Sequence, residues 1–200
     1  MRGIEQIPLL YDAMMTAAEA TGFGAWRRDL VADARGRVLD VGCGTGRNLP
    51  LYPPRTRVVA VDLRIELLLA ARRRRPDAPL VIASAEALPF APGTFDTVVS
   101  GLVFCSVASP LCGLREVRRV LDRDGRLRML EHVRSTVPLM AWWQDRIQPA
   151  WTWVSGGCHP NRDTESTVAA AGFEIERDGR RARRNVRLFS ARPHDPVSPA

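Results

Sequence analysis

The chain has 200 residues, enough for one domain with a substantial core, and its 46% hydrophobic and 26% charged content is ordinary for a globular protein. The formal net charge is +7, yet every base is arginine and lysine is absent, which reads as compositional bias rather than as a nucleic-acid surface, where lysine serves well for phosphate contacts. No stretch approaches the ~20 apolar residues of a membrane span, and the start MRGIEQIPLLYDAMM is broken by Glu5 and Asp12 and is no secretory signal, so a cytoplasmic protein with free thiols is expected.

In chain order, PLLYDAMMTAAEA and GAWRRDLVADA read as two helices joined at Thr21–Gly22, an N-terminal cap over residues 1–34. Short β-branched runs then alternate with helical stretches: RVLDV (37–41), RVVAVD (57–62), PLVIA (79–83), FDTVVS (95–100) and RLRMLE (126–131). These five are apolar on both faces, as strands between helix layers must be. LCGLREVRRVL (111–121) puts Leu111, Leu114, Val117, Val120 and Leu121 on one helical face. DTESTVAAAGF (163–173) has early acids and Gly172 at the stop of a helix. FEIER (173–177) and VRLFSAR (186–192) flank the turn-rich basic stretch DGRRARRN, so the last strand is expected to run antiparallel. The expected fold is a Rossmann-like α/β domain over 1–192. It has a doubly wound seven-stranded sheet with helices on both faces, and PHDPVSPA (193–200) is a disordered tail.

The strongest local feature is RVLDVGCGTGRNLP, a buried strand running into Gly42-x-Gly44-x-Gly46 and then a short helix. Asp62 ends the next strand, where an acid can accept from a ribose diol. A dinucleotide fingerprint would be spaced G-x-G-x-x-G, and Asp40 would repel a pyrophosphate but suits a cationic ligand, so an NAD(P)-dependent oxidoreductase is the weaker alternative. A non-catalytic nucleic-acid-associated protein has only the RRRR run at 72–75 and the basic segment 177–187 to recommend it.

Loop, Asp62 and the segment ASAEALPFAPGTFDTVVS (83–100) together resemble class I S-adenosylmethionine (SAM) methyltransferases over roughly residues 8–192. The resemblance implies SAM as cofactor, with contacts from Asp40, Gly42, Cys43, Gly44, Gly46, Asp62, Leu63, Ser84, Ala85, Glu86 and Gly101. The glycine loop would hold the methionine part, Asp40 its ammonium through water or backbone, Asp62 the ribose, and Ser84–Glu86 the adenine. Many relatives carry aspartate where Ser84 stands, and LDRDGRL keeps only Gly125 of the usual P-G-G turn.

GLVFCSVASP (101–110), RMLEHVRS (128–135), PAWTWVSGGCHPNRDT (149–164) and NLPLYP (48–53) further resemble the type 11 group that includes the methyltransferase-like alkyl-thiol S-methyltransferases. That implies a small, fairly apolar acceptor: a thiol sulfur first, a phenol or quinol by O- or C-methylation second. The group's animal members carry an N-terminal membrane anchor; none is expected here, so that location does not carry over, and peripheral membrane contact stays open. A base for the acceptor is sought in His132 or, second, His159, with His132 as a packing residue the competing reading. No metal site is expected, because Cys158 and His159 have no second ligand pair at local spacing. Residues 149–164 are expected to wall and cover the acceptor pocket, with Arg162 pairing Asp163 or Asp163 capping the next helix. Trp142, Trp143, Trp151 and Trp153 are expected to line that pocket, with Tyr11, Met14 and Met15 closing its other side.

Overall fold

A computed structural model describes residues 7–183 and 185–194. The first five apolar runs form β1 (Arg37–Val41), β2 (Arg57–Asp62), β3 (Leu80–Ile82), β4 (Phe95–Gly101) and β5 (Leu121–His132), parallel and in the order β3-β2-β1-β4-β5. Three further strands follow: β6 (Phe173–Ile175), β7 (Arg181–Arg183) and β8 (Val186–Pro193). β8 inserts between β5 and β6, antiparallel to both, and β7 pairs the near end of β8.

The sheet therefore has eight strands rather than seven. The extra one is Arg181–Ala182–Arg183, exposed throughout, so it carries no apolar pattern to read. β5 also starts at Leu121, five residues before the expected run. Pro193, assigned to the tail, closes β8 opposite Phe173. Residues 195–200 of that tail and 1–6 of the expected cap lie outside the described residues.

The helices are α1 (Pro8–Ala18), α2 (Gly24–Ala32), α3 (Ile65–Arg74), α4 (Pro110–Val120), α5 (Pro138–Ser155) and α6 (Thr164–Ala170). A wide turn, Glu19–Phe23, joins α1 to α2 at the expected place. The helix expected after the glycine loop is a single 3-10 turn, Leu49–Leu51. The tryptophan-rich segment is itself helical, through Pro149.

Side chains alternate along each strand, and the alternation splits the core in two. Leu39, Val98 and Met129 face α4 and α6, packing with Leu114, Val117 and Val168. Val38, Val99 and Leu130 face the other way, onto Leu30 and Val31 of α2 and Leu68 and Ala71 of α3. Arg128 of β5, buried, fixes α2 by donating to the carbonyls of Leu30 (2.7 Å) and Asp29 (2.6 Å) and to Asp33 (2.6 Å), groups the helix end cannot satisfy itself.

Strand order reverses between β1 and β4, and in open α/β sheets ligands bind at the carboxyl ends beside such a reversal. The glycine loop leaves β1 there and then turns under α3. Gly46 has φ +81°, and a Cβ on it would lie 2.8 Å from both Cα and Cβ of Ala71. Gly44 has φ +56° with nothing within 4 Å. Gly46→Ala is expected to cost roughly 2–4 kcal/mol in urea unfolding, strain and overpacking together, and Gly44→Ala only about 1–2 kcal/mol. Equal losses would show that α3 does not set the loop.

Candidate active site

One cavity of about 630 Å³ runs along the carboxyl edge of the sheet, within the roughly 300–1,000 Å³ usual for small-molecule sites. Strand order arranges its wall. Ser84 follows β3, Asp62 ends β2, Gly42–Gly44 follow β1, Gly101 ends β4, His132 ends β5 and Val186 begins β8. At a strand spacing of about 4.8 Å, Asp62 and His132 stand about 14 Å apart along that edge.

At the β2 end the wall is polar. Asp62 accepts from the Gly44 N–H at 2.9 Å and the Arg64 N–H at 3.0 Å, each on a different oxygen. Burial nevertheless raises its pKa. Each oxygen keeps a lone pair for a ligand hydroxyl. Leu63 is exposed and lines the cavity beside it; Cys43 lines it too, its thiol pushed up by burial. The Ser84 hydroxyl accepts from the Glu86 N–H at 3.1 Å, and Glu86 accepts from the Ser109 N–H at 2.5 Å. Glu86 thus ties this segment to the start of α4, besides bordering the cavity.

Two assigned contacts do not reach the cavity wall. Asp40 is fully buried on the α2 side of β1 and meets the wall only through Asn48, whose amide donates to it at 3.3 Å. Gly46 faces α3, as above. The Tyr52 hydroxyl lies beside Asp40, and burial pushes the Asp40 carboxyl up to about 7 against the bonds it receives.

A network unsignalled by the glycine motif locks the cap over the loop. Glu19 accepts from Arg27 (2.8 Å) and Arg47 (2.9 Å), and Arg27 donates on to Asn48 (2.7 Å). Asp12 of α1 accepts from Thr45 (2.7 Å) and Arg74 (2.8 Å). Tyr11, Met14 and Met15 consequently line the cavity, as expected of a cap. The legible signal was the pairing of acids on α1 with Arg47 inside the loop, but such pairs are too common to single out in a chain this rich in arginine.

At the β5 end, Glu131 is wholly buried. It accepts from the Ser100 hydroxyl (2.9 Å) and the N–H groups of Val103 (3.0 Å), Phe104 (3.1 Å) and Cys105 (3.4 Å). Burial raises its pKa against these bonds. Leu102, within this loop, is held at φ +63°, the one non-glycine residue with positive φ among those described. The stretch 155–164 is stitched to the same loop. The His159 N–H donates to the Cys105 carbonyl (2.8 Å), and Arg162 donates to the carbonyls of Phe104 (2.7 Å) and Val107 (2.6 Å). Arg162 does not pair Asp163; Asp163 caps α6, accepting from the Ser166 N–H at 3.1 Å.

His132 lines the cavity with Nδ1 3.8 Å from the Cys158 sulfur. His159 does not line it; its ring is held on the Gly157 carbonyl at 2.7 Å. Of the four clustered tryptophans only Trp151 lines the cavity, whereas Trp142, Trp143 and Trp153 are half or more exposed on the outer face of α5. Sequence spacing missed a further convergence: Cys105, His132 and Cys158 bring their ligand atoms within 4.8 Å of one another. The Cys105 thiol and the His132 ring lower the Cys158 thiol from its ordinary value, and Cys105 is raised in turn by Cys158 and by burial.

A family model described as a methyltransferase domain matches residues 39–129. Thiol S-methyltransferase TMT1B of Homo sapiens is 36% identical over 152 residues, 71% of this chain and 62% of that one. Thiol S-methyltransferase TMT1A of Homo sapiens is 31% identical over 173 residues, 82% of this chain and 71% of that one. This chain is a class I, type 11 SAM-dependent methyltransferase. It spans about three fifths of the length of the first relative. The fold is also that of a SAM-dependent methyltransferase of Thermotoga maritima described as a possible histamine N-methyltransferase, with TM-score 0.74 and 17% identity over 94% of this chain and 97% of that one. SAM is the methyl donor that membership of this family implies.

Asp40 generates a pH prediction. Its carboxyl is raised from 3.8 to about 7 in the fold, so the folded state holds the proton more tightly than the unfolded chain. Its contribution to stability is therefore present below about pH 4 and lost as pH rises toward 7. Asp40→Asn should flatten that fall in melting temperature; an unchanged profile would place its cause elsewhere.

Proposed function

We propose that this methyltransferase moves the methyl of SAM to the sulfur of a small apolar thiol by direct displacement. The observation that carries the reading is the ordering of one continuous cavity along the sheet edge. A polar half at β3, β2 and β1 suits adenine, ribose and methionine in turn. An apolar half beyond β4 is lined by Val107, Trp151 and Val186, with His132 and Ser106 as its polar groups. The names of the TMT1A and TMT1B relatives agree with a thiol acceptor. Asp62 would take the ribose hydroxyls and the Gly44 loop the methionine end, while Asp40 would act on the loop through Asn48.

The chemistry asks for alignment and a deprotonated sulfur. An acceptor sulfur about 3 Å from the methyl carbon, in line with the breaking C–S bond, gains most of its rate from orientation. Thiolate and sulfonium neutralise each other during transfer, which an apolar, water-poor compartment favours. His132 stands where the acceptor must sit and stabilises its thiolate form.

The test is S-adenosylhomocysteine release with an alkyl thiol and a quinol as parallel acceptors. Methylated thiol is expected; product from the quinol alone would transfer the assignment to O- or C-methylation. Asp62→Ala should weaken SAM binding at least about tenfold, the loss of charge-assisted bonds. His132→Ala should lower kcat at least about tenfold while SAM affinity stays within about twofold.

The reading extends to peripheral contact with an anionic membrane. α5 turns Ala141, Gln144 and Ser155 inward and leaves Leu139, Met140, Trp142, Trp143, Ile147 and Trp153 exposed, the reverse of a solvated helix. Tryptophans favour the membrane–water boundary, and the Arg146 guanidinium 5.8 Å over the Trp142 ring adds a cation there. Co-sedimentation with phosphatidylserine-containing vesicles should fall severalfold in a Trp142→Ser/Trp153→Ser double variant. Binding that is absent, or untouched by those changes, would remove the membrane from the account.

A further inference from the structure

We propose that Cys105, His132 and Cys158 form a zinc(II) site of two sulfurs and one nitrogen, with its fourth position open to the acceptor half of the cavity. The three come from different segments: the loop after β4, the end of β5 and the loop after α5. Their ligand atoms nonetheless lie within 4.8 Å of one another, with Cys158 Sγ 3.8 Å from His132 Nδ1. Tetrahedral zinc, at about 2.3 Å from sulfur and 2.0–2.1 Å from nitrogen, sets those two atoms about 3.6 Å apart, so that pair closes with a shift of a few tenths of an ångström and no pair needs more than about 1 Å.

The backbone that carries the ligands is already fixed. The Cys105 N–H is held by Glu131 and its carbonyl by the His159 N–H. The Cys158 N–H donates to Ser155 (3.1 Å) and its carbonyl accepts from Thr152 (2.8 Å). His132 is paired in register with Val186. Burial separates the roles: Cys105 is 1% and Cys158 0% exposed, whereas His132 lines the cavity. Of the three, His132 alone lines the cavity, so the fourth position is placed on its side, the pattern of catalytic rather than structural zinc.

The site stands on this geometry, and its consequence for catalysis rests on the thiol reading above. An entering thiol loses its proton to solvent and binds as a thiolate. A lone pair on its sulfur forms the S–CH₃ bond as the cofactor's C–S bond breaks, and that bond's electron pair returns to the cofactor sulfur. The products are a neutral thioether, a poor ligand that leaves, and S-adenosylhomocysteine.

The experiment uses reduced, chelator-treated full chain titrated with zinc alone against a chromophoric competitor, and with cobalt(II) as a spectroscopic substitute. One zinc per chain is expected, with tetrahedral cobalt bands and thiolate-to-cobalt charge transfer. Cys105→Ser, Cys158→Ser and His132→Gln should each weaken zinc about a hundredfold or more. The two serine variants should also lose part of the charge-transfer intensity, and Cys112→Ser, on the exposed face of α4, should change neither reading. Near-ultraviolet circular dichroism checks that each variant is folded. Failure of the wild-type chain to bind, or equal binding by Cys158→Ser, overturns the site. So does a Cys105–Cys158 disulfide that forms in air while the reduced protein ignores zinc. Zinc binding without thiol methylation would keep the site and discard the acceptor; thiol methylation at full rate by metal-free enzyme would keep the acceptor and overturn the metal's part in catalysis.

Discussion

The buried carboxylate of Glu131 is the constraint on which the acceptor side depends. It takes one hydroxyl and three backbone N–H groups from residues 100–105, so the chain leaving β4 must bend sharply over the end of β5. An unpaired buried carboxylate would be prohibitive, and one saturated with donors is instead a fixed template. The bend costs positive φ at Leu102. In return it sets Val103 and Gly101 on the cavity and presents the carbonyls of Phe104, Cys105 and Val107 outward. Those carbonyls are what Arg162 and the His159 N–H bind, so the 155–164 stretch is positioned by the same residue at one remove.

The cofactor side is organised differently, by ion pairs from the cap rather than by one buried acid. Glu19 and Asp12 reach down to Arg27, Arg47 and Arg74, and Arg27 passes the contact through Asn48 to Asp40. These pairs are only partly buried, so each contributes modestly and the cap remains the part of the wall best able to open. The two halves of the cavity therefore differ in stiffness: a rigid acceptor floor built on the sheet, and a cofactor lid held by side chains. That division suits an enzyme that must admit and release a large cofactor while keeping the methyl acceptor in line.

Much of this was legible in the residues. Parallel strands buried on both faces cannot avoid a continuous apolar signature, so RVLDV, RVVAVD and FDTVVS declared themselves, and the glycine loop with Asp62 declared the cofactor side. Arg181–Arg183 did not, because a strand exposed on both faces has no pattern to show. Asp40 shows what a motif leaves open: strand parity turns it toward Asn48 and the α2 layer, so it meets the cavity wall through that amide. Local spacing likewise sees only what one segment contains. The stretch 155–164 alone offers one cysteine and one histidine, and that histidine is committed to the Gly157 carbonyl.

What the fold adds is convergence across segments. β4 and β5 are neighbours in the sheet, so residues just past their ends must be close, and that alone brings Cys105 near His132. The loop after α5 is then forced onto the same spot by Arg162, because its guanidinium can satisfy the Phe104 and Val107 carbonyls only there. Cys158 arrives as a consequence. A thiol buried among apolar neighbours is inert packing, but Cys158 stands beside a second thiol and the imidazole of His132, which faces the cavity. The same two contacts that make the wall therefore assemble this cluster: remove Arg162, and Cys158 and its partners separate together.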